Sequence, residues 1–365
     1  MKKRKVLQVN KLYAPVTGGI EHVVQQLAEG LKDVTDTKVL VCQKKGKGRI
    51  EQRGGVEVHR ASSFGIFFSM PISLSFLWKF RKMAKKSDIV QLHAPFPLGD
   101  LACFLSRYKG KVILWWHSDI VRQKKLLYFY RPLMNWMLKR SDLILVATEG
   151  HIEGSEFLKP YREKCKIIPY GVPRVEPVQE FREEIPVRFL FVGRLVSYKG
   201  CETLLRAFCG LDHAELVLVG DGGLRAELEA LTSSLGLEGR VHFKHHLDDR
   251  QVAEEFRQCD VFVLPSISKT EAFGIVQIEA MAWGKPVINT NLPSGVPYVS
   301  LDGITGLTVP PEDEKALRSA MKKMVESPKL RKQMGEAARK RVQEHFLEKT
   351  MLENVYRIYQ EMGGN

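Results

Sequence analysis

The chain has 365 residues, which is enough for two α/β domains that each bury an apolar core. Apolar residues make up 44% and charged residues 27% of the chain, and this balance excludes an intrinsically disordered protein. Residues 1–140 hold 27 Lys and Arg against 9 Asp and Glu, a net charge of +18, whereas the remainder is slightly acidic. The basic half predicts an anionic partner, with nucleic acid, a lipid phosphate and an anionic membrane surface as alternatives.

The sequence carries no targeting or membrane-spanning signal. Met1-Lys-Lys-Arg-Lys precedes only a short apolar run, which predicts a first strand and not a signal peptide. No apolar stretch reaches the length of a bilayer-spanning helix. The six cysteines form no Cys-x-x-Cys pair and predict buried thiols in a reducing compartment. We therefore expect a cytoplasmic protein.

Strands alternate with helices through the first half of the chain. Apolar runs predict strands at 6–9, 38–42, 89–92, 112–116 and 143–147, and helical spacing lies between them, as at 20–31 and 126–138. This alternation predicts a mostly parallel sheet with helices on both faces.

Two features of this half follow the ends of predicted strands. Gly18 and Gly19 open the first helix and allow a ligand to approach the backbone, but they lack the Gly-x-Gly-x-x-Gly pattern of dinucleotide oxidoreductases. His117 ends the strand at 112–116, at the edge where α/β sheets bind ligands. Such a histidine is either a ligand contact or a structural residue. His93, at the end of another strand, is a second candidate for a ligand contact.

An aromatic segment with a basic end lies at residues 64–86. Residues 64–78 are apolar and aromatic, and they are followed by Lys79, Arg81, Lys82, Lys85 and Lys86. The segment has two interpretations: an interfacial membrane segment, or a core helix with a solvated basic end.

A second α/β alternation follows a linker. Proline and charged residues predict the linker at 173–186. Strands are predicted at 188–192, 215–219, 241–243, 261–264 and 286–289, helices at 201–208, 224–235, 249–257 and 274–282, and a mostly helical tail at 312–361. The whole pattern predicts two doubly wound α/β domains.

Arg194 and Lys199 lie in a strand-to-helix turn of the second half. Gly193-Arg194 follows the strand at 188–192, and Lys199-Gly200 stands just before the next helix. Arg offers several planar donors and Lys a compact charge, so this turn suits a diphosphate or is an ordinary exposed turn.

Glu271 and Glu279 flank the start of a helix. The segment Ser-Lys-Thr-Glu-Ala-Phe-Gly-Ile-Val-Gln-Ile-Glu follows the strand at 261–264, and helical spacing begins after Gly274. A helix start offers free N–H groups and a positive dipole end to a phosphate. Glu279 lies roughly 7 Å along the helix, at about 1.5 Å per residue. This spacing suits a ligand with a central diphosphate, a sugar at one end and a ribose at the other, although two solvated glutamates are the alternative.

These motifs resemble the donor site of retaining glycosyltransferases of the GT-B fold, the large family-4 group. The resemblance is carried by Glu-Ala-Phe-Gly-x4-Glu with Ala-Met-Ala-x-Gly-Lys-Pro-Val, and by Gly-Arg-Leu-x3-Lys-Gly. It implies two Rossmann-like domains facing across a cleft. We expect an acceptor domain at 1–172, the linker at 173–186, a donor domain at 187–346, and a last helix at 347–361 that crosses back to the first domain.

The resemblance also implies roles for individual residues. Glu271 contacts donor sugar hydroxyls, Glu279 holds the ribose, and Arg194 and Lys199 stabilise the leaving diphosphate. His117 contacts the sugar from the first domain. Backbone contacts to the diphosphate or sugar-phosphate come from Phe273, Gly274, Ile275 and Val276, and from Gly18 and Gly19.

The implied reaction moves a hexosyl group from a GDP- or UDP-linked sugar to a hydroxyl acceptor with retention. GDP-mannose is the first expectation for the donor; the base is open, because His245 stands about where the family has a glycine near the base. Asp248-Asp249 predicts a helix start and not a metal site, so we expect neither metal nor cofactor. The acceptor is expected to be a sugar or a lipid-linked glycan in lipopolysaccharide or polysaccharide synthesis, at the inner membrane face.

Two other functions remain open from the sequence. One is another GT-B enzyme, such as a sugar-nucleotide epimerase or a phosphorylase. The other is a basic nucleic-acid-binding protein, which the isoelectric point of about 9.4 suggests. The paired glutamates at a phosphate-binding helix argue against it, so we expect no nucleic-acid partner.

Overall fold

The computed structural model describes residues 3–16, 18–67, 70–120, 124–177 and 186–362, with residues 124 and 125 given by their backbone alone. The strands are β1 Arg4–Val9, β2 Thr35–Cys42, β3 Arg49–Arg53, β4 Val56–Ala61, β5 Ile66–Phe67, β6 Met70–Pro71, β7 Ile89–Ala94, β8 Lys111–Trp116, β9 Leu143–Val146, β10 Cys165–Ile167, β11 Val187–Val192, β12 Ala214–Val219, β13 Val241–Lys244, β14 Val261–Leu264, β15 Val287–Thr290 and β16 Gly306–Val309.

The helices lie between and after these strands. They are α1 Gly19–Gly30, α2 Leu74–Ala84, α3 Pro97–Ser106, α4 Lys124–Arg140, α5 Glu149–Glu153, α6 Cys201–Phe208, α7 Arg225–Ser234, α8 Asp249–Gln258, α9 Ile275–Ala282, α10 Val296–Val299, α11 Glu314–Glu326, α12 Pro328–His345 and α13 Glu348–Met362. Short 3-10 turns span Lys159–Lys164 and Ser197–Lys199.

The chain forms two compact units. The first comprises the residues up to Ala147, Ser155–Tyr170 and the segment from Glu348; the second comprises Thr148–Gly154 and Gly171–Leu347. Residues 178–185 of the predicted linker lie outside the described residues.

The division differs from the predicted boundary at 172, because residues 148–154 group with the second unit. A Cβ atom added to Gly150 would lie 2.3 Å from the Ser294 carbonyl oxygen, which shows how closely this segment packs there. The Tyr298 hydroxyl donates a hydrogen bond of 2.5 Å to Glu153.

The sheet of the first unit has the strand order β10-β9-β8-β7-β1-β2-β4-β3. All neighbours are parallel except the β3–β4 hairpin at the edge. Every residue of Ile89–Ala94 is buried, as expected for a central parallel strand covered on both faces. The edge strand Arg49–Arg53 and its neighbour Val56–Ala61 were not predicted; Arg, Glu and Gln interrupt the apolar run in the first of them.

The sheet of the second unit is entirely parallel, with the order β13-β12-β11-β14-β15-β16. Its core is built from the apolar runs of these strands and from the apolar faces of α6 and α11. The prediction of two doubly wound α/β domains is confirmed.

Each sheet has one point where the strand order reverses. In the first unit the chain passes from β1 to β2 on one side and later returns to β7 on the other; in the second, β11 is flanked by β12 and β14. Ligands of open α/β sheets bind outside the carboxyl ends of the strands at such a point. Residues that follow β1, β7, β11 and β14 are therefore the first to consider for function.

Of the described residues, no helix combines the length and apolarity needed to cross a bilayer. Cys42, Cys103, Cys201 and Cys259 are buried free thiols, as predicted, and burial raises the pKa of each to about 12. Cys165 and Cys209 are only half-buried.

Candidate active site

Lys199 and Glu271 meet at the switch point of the second unit. Lys199 follows β11 and Glu271 follows β14, and their side chains form an ion pair of 2.5 Å between Nζ and Oε2. The two side chains are only 10% and 12% exposed, so the pair lies where water screens it weakly. The Ser266 hydroxyl donates a further hydrogen bond of 3.3 Å to the same carboxylate oxygen. The structure thus brings two predicted site residues into direct contact.

Gly200 allows the turn after β11 to pack against the end of β14. Gly200 has a φ of 70°, and a Cβ atom there would lie 2.0 Å from the Pro265 carbonyl oxygen. A side chain at this position would therefore be strained and would also push the β11 turn away from the end of β14. The glycine in the Lys-Gly motif is needed for the Lys199–Glu271 contact.

Arg194 lies on the exposed side of the same turn. Its guanidinium donates a hydrogen bond of 3.2 Å to the Tyr198 hydroxyl. No carboxylate among the described residues forms an ion pair with it. An exposed guanidinium without a counter-ion keeps donors available for an anion.

The start of α9 presents free backbone amides. Gly274 precedes the helix with a φ of 71°, and no side chain caps the first N–H groups. Phe273 is buried and packs edge-to-face on Phe346, with ring centroids 6.1 Å apart. Ile275 and Val276 open the helix and are half-buried. The four predicted backbone-contact residues therefore form one helix start.

A buried amide network that the sequence did not predict fixes this helix start. Gln277 Nε2 donates a 3.0 Å hydrogen bond to the Phe273 carbonyl, and Asn289 Nδ2 donates a 2.8 Å hydrogen bond to Gln277 Oε1. The Thr308 hydroxyl donates to Asn289 Oδ1 at 2.7 Å. Polar residues inside the apolar runs of α9 and β15 were the signal for it, because buried amides require partners.

Glu279 lies on α9, beyond the helix start. Burial raises the pKa of its carboxyl to about 7, and the charge of Asp249 adds to the rise. No donor from the part of the chain that the structure describes hydrogen-bonds to it. A sheltered carboxylate without a protein partner can accept hydrogen bonds from a ligand.

His117 belongs to the first unit, where both of its ring nitrogens already have protein partners. Nδ1 lies 2.6 Å from the Tyr170 hydroxyl, and Nε2 lies 2.8 Å from Nδ1 of His93. His93 continues the chain through Nε2 to Gln8 Oε1 at 2.9 Å, and Gln8 donates to the Tyr359 hydroxyl of α13. Burial lowers the pKa of His93 to about 3, so this ring is neutral. For a ring nitrogen of His117 to bind a sugar, one of these bonds would have to break.

Gly18 and Gly19 begin α1 in the first unit. The φ of Gly18 is 171°, an extended conformation that any residue adopts. A Cβ atom at Gly18 would meet only the flexible end of the Glu21 side chain, at 2.3 Å. The backbone therefore does not require glycine at 18, and the predicted sugar-phosphate contact remains a prediction.

Metal ligation is the last property of the site to consider. The described residues contain no group of three or more His, Cys, Asp and Glu placed to hold a metal ion. The site offers cationic side chains and backbone amides instead.

The two α/β units, each built on a wholly or largely parallel sheet, form a GT-B fold. The fold matches sucrose-phosphate synthase from Thermosynechococcus elongatus with a TM-score of 0.79 at 20% identity, over 99% of each chain. It matches Anabaena HepE in complex with UDP-glucose with a TM-score of 0.77 at 19% identity, over 98% of this chain and 99% of that one.

The sequence identifies the family. Residues 17–175 match Glycosyltransferase Family 4, and residues 175–341 match Glycosyl transferases group 1. The chain is 37% identical to the D-rhamnosyltransferase WbpZ of Pseudomonas aeruginosa, over 94% of this chain and 92% of that protein. It is 31% identical to the O-antigen chain mannosyltransferase C of Escherichia coli, over 97% and 98%. The chain belongs to the group 1 glycosyltransferases.

The predicted family and fold are thereby confirmed, and the protein is a glycosyltransferase. This finding favours the glycosyltransferase over the epimerase, the phosphorylase and the nucleic-acid-binding protein. The roles of individual residues are predictions that the family match does not test.

Proposed function

We propose that the protein is a retaining hexosyltransferase that extends a cell-surface glycan from a nucleotide diphosphate sugar. The observation that carries the donor site is the cluster at the second switch point: the Lys199–Glu271 pair beside the open start of α9. The names of the two similar proteins, a D-rhamnosyltransferase and an O-antigen chain mannosyltransferase, support the glycan. D-Rhamnose is D-mannose without the 6-hydroxyl, so GDP-mannose and GDP-D-rhamnose are the donors to try first.

The donor diphosphate would bind Arg194, Lys199 and the amides that open α9. A diphosphate that takes over Lys199 releases the Glu271 carboxylate from its ion pair, and Glu271 can then accept hydrogen bonds from the sugar. Glu279, farther along α9, would accept from the ribose. In this assignment the negative diphosphate meets cations and N–H donors, and the sugar and ribose hydroxyls meet carboxylate acceptors.

The proposed chemistry is front-face displacement. The bond between the anomeric carbon and the diphosphate oxygen breaks, and the acceptor oxygen bonds to the same face of that carbon. The acceptor proton passes to an oxygen of the leaving diphosphate. Arg194, Lys199 and the helix start stabilise the negative charge that develops, so we propose that no metal is needed.

The first unit has a surface that would place it against a membrane. We define the aromatic-basic surface as exposed Phe64, Phe67, Leu74 and Trp78 together with Arg81, Lys82, Lys85 and Lys86. Trp78 is 64% exposed, and Lys82 Nζ lies 5.2 Å from the centre of its ring. Helix α2, which carries Trp78, buries Phe76, Phe80 and Ala84. Both sequence interpretations thus have support, a core face and an exposed face, and exposed aromatic residues beside lysines suit an interfacial location.

A transfer assay tests the proposed function. The protein is incubated with GDP-mannose, GDP-D-rhamnose or UDP-glucose and the methyl α-glycosides of D-mannose and D-rhamnose, with and without EDTA. We expect transfer from a GDP-sugar, survival in EDTA, and an α-linkage by NMR from an α-linked donor. Glu271→Gln should lose transfer, and Glu202→Gln, an exposed glutamate on α6, should keep it. Inverted linkage, or loss in EDTA restored by Mg²⁺, would contradict the mechanism.

A further inference from the structure

Polar residues also gather at the switch point of the first unit. Lys11 stands two residues after β1, and Asp100 lies in the first turn of α3, which follows β7. The two strands are adjacent and parallel, with Val6–Val9 in register with Ile89–Leu92. The side chains therefore share the carboxyl edge at the point where the strand order reverses, the position at which α/β sheets bind ligands.

Asp100 has a buried carboxylate, and within the described residues only one of its two oxygens accepts a hydrogen bond. The residue is 2% exposed. Its Oδ2 accepts a hydrogen bond from the Tyr130 hydroxyl of α4. Its Oδ1 is buried and has no hydrogen-bond partner within the described ranges. Leaving a buried acceptor without a donor is unfavourable, and native proteins seldom do so unless a water or a ligand completes the site.

Lys11 is a candidate counterpart of Asp100, but the two side chains form no ion pair within the described residues. Burial lowers the pKa of Lys11, and the charges of Glu21 and, less strongly, Asp100 partly oppose that shift. Even so, no ion pair or hydrogen bond of the Lys11 side chain occurs among the residues that the structure describes. The Lys11 ammonium group and the unpartnered Oδ1 of Asp100 therefore belong to the same edge of the sheet, and they interact electrostatically without an ion pair between them.

We propose that Lys11 and Asp100 bind a hydroxyl group of the acceptor sugar. A single hydroxyl group can bind both side chains, because it donates its hydrogen to Asp100 Oδ1 while its oxygen accepts a hydrogen bond from Lys11 Nζ. An anionic group fits less well, because the Glu21 carboxylate acts on Lys11 and would repel a second anion, although the unit as a whole is basic. This inference rests on the proposed function, since it assigns the acceptor of that reaction.

Binding of simple glycosides tests the inference without catalysis. Saturation-transfer NMR is recorded with methyl α-D-mannopyranoside and methyl α-D-rhamnopyranoside. We expect a signal with the wild type, at least fivefold less with Asp100→Asn and with Lys11→Met, and a wild-type signal with Asp33→Asn and Lys44→Met. The last two remove exposed charges of the same kind from the same unit. Excess GDP should not displace the glycoside.

Two measurements keep the outcomes distinct. Thermal unfolding checks each variant; if Asp100→Asn fails to fold, Lys11→Met carries the test, because that side chain has no protein partner to lose within the described residues. Retained signal in the folded variants overturns the inference, and so does a wild type that binds neither glycoside. Calorimetry with GDP and UDP reports on the donor site separately. Glycoside binding that depends on Asp100 without any nucleotide binding would refute the proposed donor site but not the acceptor site.

Discussion

At the scale of residues, Lys199 and Glu271 of the second unit form an ion pair, so neither charge is left uncompensated in the protein without ligand. Lys199 and Glu271 neutralise each other in a poorly solvated place, where an isolated charge would be costly. Arg194 stays in solvent, where an unpaired charge costs little. Substitutions at these two cations should therefore differ in their effect on stability while both weaken the binding of a diphosphate.

Lys199→Met and Arg194→Met should each weaken GDP binding about 10- to 100-fold, because one charge-assisted contact is worth about 1.5–3 kcal/mol. Lys199→Met should also lower stability, since it leaves Glu271 buried without a counter-ion. Arg194→Met should leave stability unchanged. Calorimetry and urea unfolding measure the two effects, with Arg225→Met on α7 as the control. Unchanged GDP affinity in both variants would remove these residues from the site.

The raised pKa of Glu279 makes a prediction about pH. The folded carboxyl binds its proton up to about pH 7, whereas the unfolded one releases it near its ordinary value of 4.5. Between these values the folded state holds more protons, so its stability should fall as pH rises from about 4.5 to 7. Glu279→Gln should flatten that slope. Urea unfolding at several pH values compares the variant with Glu229→Gln, a glutamate on α7; equal slopes in wild type and Glu279→Gln would contradict the shift.

At the scale of elements, close packing of turns places the site residues. Gly200 and Gly236 have nearly the same φ, 70° and 65°, but only Gly200 lies against a neighbour. Gly236→Ala should cost about 1 kcal/mol from the left-handed backbone alone. Gly200→Ala adds a contact of 2.0 Å with the Pro265 carbonyl, so it should cost more and also weaken GDP binding. Urea unfolding and calorimetry test the pair, and equal effects of the two variants would show that the contact relaxes freely.

Local patterns were enough to predict most elements and the glycine turns at 200 and 274, because apolar spacing and backbone freedom act over a few residues. Local patterns do not predict contacts between residues that are far apart in the sequence. Lys199 and Glu271 were predicted to bind different parts of a ligand. The parallel pairing of β11 with β14 brings the two side chains together, and they form an ion pair with each other. The partners of His117 likewise come from other elements, Tyr170 and His93. The amide network around Gln277 depends on β15 and escaped prediction for the same reason.

At the scale of the whole molecule, the uneven charge of the chain leads to a prediction about membranes. Each Lys or Arg near an anionic surface contributes on the order of 1 kcal/mol, and salt weakens this contribution. The wild type should therefore sediment with vesicles of phosphatidylglycerol at low salt and much less at high salt. Changing Arg81, Lys82, Lys85 and Lys86 together to Gln should release it, because these side chains are exposed at and just after the end of the helix that carries Trp78.

The matched control changes the same number of exposed basic residues in the second unit: Lys322, Lys323, Lys332 and Lys340 to Gln. Both variants lose four positive charges, so a difference between them reports location and not net charge. Trp78→Ser separates the aromatic contribution, which salt should not screen, and it should reduce the binding that remains at high salt. If the two fourfold variants sediment alike, the four basic residues between 81 and 86 act only through the total charge. If the wild type stays in the supernatant at low salt, the aromatic-basic surface has another partner.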